Sequence, residues 1–292
     1  MNTNPTHRPK NPFLWTREHA RAPRSPLAPA LALATAIVSV PAYAQNPQLI
    51  TVPLSRPGEP MTLDIDILSA RIEVIGEARE DVQLEVSAAG GKRRIVTPSG
   101  TRELTSGAFA LEVEEEDNFI EVDTDWRTDT VRVVARIPRR ADLELTTTNN
   151  GEILVRDVTG ALVLNNVNGP ITATGITGTV IAESVNEDIE VSFDAIQGNG
   201  AMSFASVNGT LSLGLPADAA VQLHIDSAEG EITSDFEVDV MPSEPTITRE
   251  EDDSGGVEIR VESVIVANVN GGGTVIRMKT LNGDINIRKT ME

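Results

Sequence analysis

This 292-residue chain has three histidines, and two of them lie in the first 44 residues, which are interpreted below as a signal peptide. Any chemistry of the mature chain that needs an imidazole would therefore depend on the third, His224. Catalysis by a nucleophile, a histidine and an acid would have to use it. It stands between Leu223 and Ile225 in an alternating segment, so it is expected to point away from the inward-packing side chains. The chain has no cysteine, which excludes zinc sites of the usual cysteine and histidine types.

Carboxylates are the other groups that could do chemistry. A glycosidase needs two of them a few ångströms apart, and calcium binds clusters of oxygen ligands. Sugar-binding platforms usually present aromatic faces, yet beyond residue 44 there are only Trp126 and five phenylalanines. Neither the EF-hand loop nor the glycine-rich calcium repeat is present. We predict no catalytic, cofactor or metal site, with weak calcium binding at an acidic surface as an alternative. The candidate acids are Glu114-Glu115-Glu116-Asp117, Asp123, Asp125, Asp188 and Glu190.

The N-terminus has the pattern of an export signal. Residues 1–26 carry five basic residues and one acid, the apolar run Leu27 to Val40 follows, and Ala42-Tyr43-Ala44 ends it. The alternative is an uncleaved anchor, but a spanning helix needs about 20 apolar residues. We therefore predict a signal peptide over residues 1–44 and a periplasmic, surface or secreted location, with no membrane span in the mature chain.

Charge narrows the class of partner. Residues after 44 hold 19 basic and 43 acidic side chains, a net charge of −24. A polyanion is repelled by nucleic acid and by anionic lipid surfaces. The expected partner is therefore an envelope protein or glycan and not a nucleic acid. The simplest role for so much acid is solubility.

An internal repeat is the most informative feature. Asparagines 150, 168 and 186 are 18 residues apart, and the next interval, to Asn208, is 22. Each unit reads as strand, turn, strand, turn, and Asn-Gly pairs suit turns that need positive φ. Glu187 replaces glycine in one turn, which predicts a local change there. The copies are Asn149–Val155, Val167–Ala173, Val185–Val191, Val207–Leu213 and Leu281–Ile287, with a degenerate copy at Ala228–Ile232 and a further turn at Val269-Asn270-Gly271.

Equivalent residues of these copies form columns, which predict how the units pack. In a β-solenoid, like residues stack about 4.8 Å apart, with asparagine ladders at the turns. An antiparallel meander with Asn-Gly hairpins is the alternative, but it gives no reason for matching columns, so we favour the solenoid. The first column is Ile153, Ile171, Ile189, Leu211, Ile232 and Ile285; the second is Val155, Ala173, Val191, Leu213 and Ile287; the third is Val167, Val185, Val207, Val269 and Leu281.

These motifs resemble the β-strand-repeat putative adhesin family, which is related to the head domains of putative autotransporter adhesins. The resemblance covers roughly residues 60–289. The stretches that carry it are Asn149–Val155, Ser184–Val191, Ser206–Leu213, Leu215–Ala219 leading to Ser227–Ile232, and Val269–Gly273 leading to Lys279–Ile285. It implies an extracytoplasmic, solenoid-like fold and, in some members, a link to envelope stress. It brings no agreed activity and no catalytic residues.

The predicted organisation is all-β: a β-solenoid, a single-stranded β-helix-like stack of short strands whose N-terminal strands cap one end. Residues 1–44 are the signal peptide, 45–60 an extended segment, and 61–290 one β-repeat domain. Residues 90–107 read as a loop, and residues 237–256, with two prolines and four consecutive acids, as a mobile acidic excursion.

Three functions are compatible with this reading. The leading hypothesis is a non-catalytic envelope or cell-surface β-repeat protein that acts as an adhesin-like binding module or scaffold. The alternatives are a carbohydrate-active enzyme that uses paired carboxylates and a self-assembling structural protein.

Overall fold

A computed structural model describes residues 38–39, 47–88, 110–124, 130–149, 151–197, 200–242, 246–251, 257–262 and 264–290, all within one compact unit, Ala34–Glu292. Every regular element in these residues is a strand. The strands are β1 Val38–Ser39, β2 Gln48–Pro53, β3 Met61–Ile67, β4 Ala70–Glu77, β5 Asp81–Ala88, β6 Ala110–Glu116, β7 Phe119–Thr124, β8 Val131–Pro138, β9 Ala141–Thr147, β10 Ile153–Arg156, β11 Thr159–Asn166, β12 Ile171–Ser184, β13 Ile189–Ile196, β14 Met202–Asn208, β15 Leu211–Leu215, β16 Val221–Glu229, β17 Ile232–Ser234, β18 Val238–Met241, β19 Thr246–Glu251, β20 Val257–Glu262, β21 Ile265–Val269, β22 Thr274–Asn282 and β23 Ile285–Lys289.

The strands form two ladders that share one hydrophobic core. The first ladder runs β1-β6-β7-β3-β9-β11-β12-β14-β22-β16-β21-β18, and the second runs β2-β5-β8-β4-β10-β12-β13-β15-β23-β17. The long strand β12 belongs to both, because it turns between them near Gly175 and Gly178, which have positive φ. Alternate residues of both ladders are buried in one cluster, as the period-2 pattern predicts.

Parallel pairing in the middle and antiparallel pairing at the ends confirm a capped solenoid-like stack. From β3 through β16 the neighbours in the first ladder are parallel. At its ends, β6 pairs antiparallel with β7, and β21 pairs antiparallel with both β16 and β18. The second ladder ends in the antiparallel pairs β2–β5 and β5–β8 at its N-terminal side. The antiparallel meander is therefore wrong for the repeat region.

The first two predicted columns are confirmed as stacked ladder positions, with one difference in order. Leu211 pairs with Ile285, and Ile285 pairs with Ile232. The unit β22–β23 is last in the sequence, but it lies between β14–β15 and β16–β17. The same happens at the other side, where β3–β4 lies between β7–β8 and β9–β10. Strand order is therefore not sequence order at either end.

The third predicted column stacks but lies on the outside. Val185 is 37% exposed and Leu281 52%. Val269 is not part of the column at all, because it pairs antiparallel with Val221 and Val238. The residue before each of these positions points inward instead and is polar, which places a buried polar column beside the turns. That column is Thr147, Asn166, Ser184, Ser206 and Thr280.

Three members of the buried polar column donate hydrogen bonds to the turn of the neighbouring unit. Asn166 Nδ2 donates to the Gly151 carbonyl at 3.2 Å, and Thr280 Oγ1 donates to the Gly209 carbonyl at 3.2 Å. Ser206 Oγ donates to the Glu187 carbonyl at 3.3 Å. The Glu187 carbonyl thus accepts the same kind of bond as the glycine carbonyls, whereas Ser184 Oγ, the column member just before this turn, is buried without a hydrogen-bond partner. These bonds satisfy carbonyls that would otherwise be costly to bury.

The predicted asparagine ladder is confirmed. Each Nδ2 donates to the Oδ1 of the neighbouring asparagine, from Asn186 to Asn168 at 2.7 Å, from Asn208 to Asn186 at 3.1 Å and from Asn282 to Asn208 at 2.8 Å. Asn150 lies outside the described residues. Asn270 has positive φ and donates instead to the carbonyls of Ala217 and Ala219.

The predicted reason for the turn glycines is wrong at most copies. Gly151, Gly169, Gly209 and Gly283 do not have positive φ. A Cβ at Gly209 would instead lie 2.2 Å from the Glu187 carbonyl oxygen, and one at Gly169 would lie 1.5 Å from the Gly151 oxygen. Stacked turns bring backbone against backbone, so close approach favours glycine at Gly169 and Gly209, although Glu187 occupies the equivalent position in the turn between them.

The segment predicted as an acidic excursion contains strands. β18 extends the first ladder by pairing with β21, and β19 pairs with β20 in a separate hairpin. Residues 243–245 and 252–256 of this segment lie outside the described residues. The predicted loop at 90–107 lies outside the described residues, as does the predicted signal peptide apart from β1.

Within the residues that the structure describes, no helix has the length and hydrophobicity of a membrane span.

Candidate functional site

His224 lies on β16 and, as predicted, points away from the core between two buried neighbours. Its Nε2 is 3.0 Å from Gln222 Oε1. The Gln222 amide also donates to Asn268 Oδ1 at 3.2 Å. His224 stands across from Val266 on β21 and Arg277 on β22. The residues in these contacts, Gln222, Val266 and Arg277, include no nucleophile and no carboxylate of the kind that a triad uses.

The run Glu114–Asp117 covers the end of β6 and the first residue of the turn into β7, and Glu115 has a structural role there. Its carboxylate accepts hydrogen bonds from the Ser55 and Asn118 backbone N–H groups, at 3.1 and 2.9 Å. Asn118 is 2% exposed, has positive φ, and donates through Nδ2 to the Arg56 carbonyl at 2.8 Å. These contacts fasten the segment after β2 to the β6–β7 turn. The Glu115 carboxylate therefore serves the structure of this turn.

Asp188 and Glu190 do not form a catalytic pair with acids on adjacent units. Asp188 Oδ1 accepts the Thr210 backbone N–H at 2.7 Å, which links two successive turns. Glu190 is exposed on the second ladder, where its neighbours on either side are Thr172 and Ser212. The geometry expected of a paired-carboxylate site is absent at these two residues.

The outer face of the first ladder carries two rows of acids, of which only Glu114 and Asp123 are among the candidates predicted from the sequence. They lie on four adjacent strands, β6, β7, β3 and β9, none of which contains lysine or arginine. Side chains on neighbouring strands are close enough to interact, and like charges directly opposite are destabilising. We call these the acidic rows: Glu114, Glu121, Asp64 and Glu144 in one, and Glu112, Asp123 and Asp66 in the other.

On the second ladder, acids on β4 and the segments next to it are paired with arginines. Glu73, whose side chain is 13% exposed, accepts hydrogen bonds from Arg132 at 3.0 Å and from Arg156 at 2.7 Å. Arg71 pairs with Glu152. Arg79 pairs with Asp81 at 2.9 Å and Glu77 at 3.4 Å. In the same part of the molecule, the second ladder thus carries arginine–carboxylate pairs between its strands, whereas the charged residues on the four strands of the acidic rows are all acids.

The acidic rows could have been found from the sequence by their period. Asp64 and Asp66, Glu112 and Glu114, and Glu121 and Asp123 are each two residues apart in alternating strands, so each pair shares one face. What the sequence does not give is which strands are neighbours. Of the other candidate acids, Asp123 lies in a row and Asp125 lies outside the described residues.

A metal centre of protein ligands is not formed by the described part of the chain. No group of three or more histidine, cysteine, aspartate or glutamate side chains there has the geometry to hold an ion. The acids of the rows are spread along a flat surface, one per strand. They create a negative field rather than a coordination cage.

Comparison with known proteins gives one remote likeness. No family model matches the chain, and no curated protein matches it. A solved structure described as a putative cell adhesion protein from Clostridium sporogenes is similar to it with a TM-score of 0.41 and 9% sequence identity, covering 84% of this chain and 100% of that one.

Proposed function

We propose that this chain is an exported, non-catalytic β-solenoid that serves the cell envelope or surface as an adhesin-like binding module or scaffold. The observation that supports this most is the regular stack itself. Two long ladders are held by repeated turn contacts and present broad outer faces. Repeat stacks of this kind supply extended binding surfaces rather than enclosed reaction sites.

The candidate chemical groups support the same proposal. Glu115 and Asp188 accept backbone hydrogen bonds that hold turns together, and His224 lies among Gln222, Val266 and Arg277. The predicted signal peptide and the repeat motifs of the putative adhesin family point to export and to a partner in the envelope. Strand faces of fixed spacing suit an extended protein segment or a glycan chain.

The test is cross-linking of the chain in its native envelope, affinity capture and mass spectrometry of what is retained. A single dominant protein or glycan partner is the expected result. The Glu115→Ala variant, which loses the hydrogen bonds that hold the β6–β7 turn to the segment after β2, is a suitable control. Contacts with a partner that require the folded stack should be lost in this variant. Recovery of nothing beyond the chain itself would contradict a binding module.

A carbohydrate-active enzyme is the second candidate, because the acidic rows place Glu114 directly opposite Glu121 on adjacent strands. Purified protein is incubated with envelope glycans, and reducing ends are measured. Turnover that disappears in Glu121→Gln would replace the binding proposal with an enzymatic one. We expect no turnover in either protein.

A further inference from the structure

The repeat unit β22–β23 lies inside the stack although it follows the units on both sides of it in the sequence. β22 is paired in parallel with β14 on one side and with β16 on the other. β23 is paired in the same way with β15 and β17. Among the described strands, the block β14–β15 meets the block β16–β17 only through this unit. β22–β23 therefore fills a slot one unit wide between two blocks that precede it in the chain.

The slot closely matches the unit that occupies it. On the side of β14, Asn282 Nδ2 donates to Asn208 Oδ1 at 2.8 Å. On the side of β16, the Gly283 N–H donates to the Glu229 carbonyl at 3.0 Å. Five inward side chains of the unit are at most 2% exposed: Ile276, Met278, Thr280, Ile285 and Ile287. These contacts follow the repeat pattern of this chain, so the same unit from a second copy would fit the slot equally well.

A crossover of four residues, 270–273, connects the unit to the preceding strands. Val221 of β16 is paired with Val269 of β21 on one edge and with Thr274 of β22 on the other. The chain therefore passes over the start of β16 between the end of β21 and the start of β22. This crossover is the one chain connection between β22–β23 and the strands before it, so its opening is enough to carry the unit away from them.

The crossover has an unusual backbone conformation. Three consecutive residues, Asn270, Gly271 and Gly272, have φ of 50°, 86° and 83°, in the left-handed region. Asn270 bears a Cβ there, which is unfavourable, and its Nδ2 donates to the carbonyls of Ala217 and Ala219 at 3.1 and 2.8 Å. Short connections of this kind favour exchange of a segment between copies, because an extended connection avoids the tight turn.

We propose that two copies of this chain exchange β22–β23, each placing the unit in the slot of the other. In the exchanged dimer, residues 270–273 are extended and have no left-handed residues. The contacts of the unit within its slot are retained, because segment and slot are the same in both copies. The two forms therefore differ mainly in the crossover. This exchange goes beyond the function proposed above, since it needs no envelope partner.

Two matched glycine variants test the role of the crossover. Gly271 and Gly58 have nearly the same φ, +86° and +83°, and a Cβ at either position would meet no atom within 4 Å. Alanine therefore adds only the strain of positive φ at both positions. In Gly271→Ala this strain falls on the closed form alone, so we expect the dimer association constant to rise at least about 10-fold over the parent. Gly58→Ala should leave it unchanged. Sedimentation velocity of the chain expressed in full, over a range of concentrations, measures both.

Single cysteines show which copy supplies the strand. The chain has no cysteine, and Ser203 on β14 is directly paired with Arg277 on β22. Paired residues on neighbouring strands lie about 4.8 Å apart, which suits a disulfide. Chains with Ser203→Cys and chains with Arg277→Cys are produced together and oxidised, in the parent and in the Gly271→Ala background. We expect a covalent heterodimer, whereas Thr172→Cys on the second ladder, used in place of Arg277→Cys, should give none.

Three results would overturn the proposal. The first is a folded Gly271→Ala chain that stays monomeric at every concentration, with folding checked by circular dichroism. The second is a dimer that Gly58→Ala favours as much as Gly271→Ala does. The third is a failure of Ser203→Cys and Arg277→Cys to become linked in the parent background at high concentration. None of these results bears on the binding of an envelope partner, because the purified chain is the only protein present.

Discussion

The central units and the N-terminal units of this stack are built from the same alternating strands but are stabilised in different ways. In the centre, from β10 to β15 with β22 and β23, the turns touch through asparagine ladders, buried hydroxyls and glycine backbones. Around β2 to β9 the outer faces carry many charged residues: arginine–carboxylate pairs on the second ladder, and acids on the strands β6, β7, β3 and β9 of the first.

The two regions therefore differ in the kind of contact that holds them: uncharged in the centre and charged in the N-terminal units. The central contacts are short-range and uncharged, so they fix the register of the stack whatever the salt concentration. Exposed ion pairs contribute little individually, and opposed acids cost stability. The central turn contacts are therefore expected to contribute more to stability than the surface charges of the N-terminal units.

The largest expected effect comes from the close approach of stacked turns. Gly209→Ala would place a Cβ 2.2 Å from the Glu187 carbonyl oxygen, a backbone clash that we expect to cost about 3 kcal/mol or more. The control is Gly58→Ala in the N-terminal units, where φ is +83° and no atom lies within 4 Å. That change should cost about 1 kcal/mol through φ alone. Urea unfolding measures both, and equal losses would remove the distinction.

A smaller effect should differ between the two charged faces. Glu73→Gln leaves Arg132 and Arg156 without their shared carboxylate, and because both arginines are nearly half exposed the expected loss is about 1 kcal/mol. Glu121→Gln on the first ladder relieves its opposition to Glu114, so it should be neutral or stabilising by up to about 0.5 kcal/mol. Thermal unfolding of both variants measures these two changes in stability. Destabilisation by Glu121→Gln would mean that the acidic rows are needed for folding.

The smallest effect concerns the exposed asparagine ladder. Asn186→Ala removes the bonds to Asn168 and Asn208, and we expect a loss of about 0.5–1 kcal/mol because water replaces them in part. Asn165→Ala, on an outward position of β11, is the comparison and should lie within about 0.5 kcal/mol of the parent. Hydrogen exchange of the Val185–Asp188 turn gives a local readout. Unchanged protection there would show that the ladder adds no stability.

Much of the fold could be predicted because its signal is local. Period-2 alternation places Ile153, Ile171 and Ile189 inward, and repetition at fixed spacing brings them into register. The asparagine ladder followed from the same repetition. Where the prediction failed, at the exposed third column, the pattern was shifted by one residue. A polar column was buried there because its hydrogen bonds reach backbone carbonyls, which a hydrophobicity pattern does not record.

The sequence alone determined that this is an all-β stack of repeated units with one face of each strand inward, since side-chain alternation is a property of each strand by itself. Only the tertiary structure decided which strands are neighbours. Asn208 lies beside Asn282, 74 residues away, and β3 lies between β7 and β9. Parallel pairing between distant segments is set by backbone hydrogen bonds and by how the turns pack. The local sequence of each strand therefore does not show that acids from four strands lie side by side on one face.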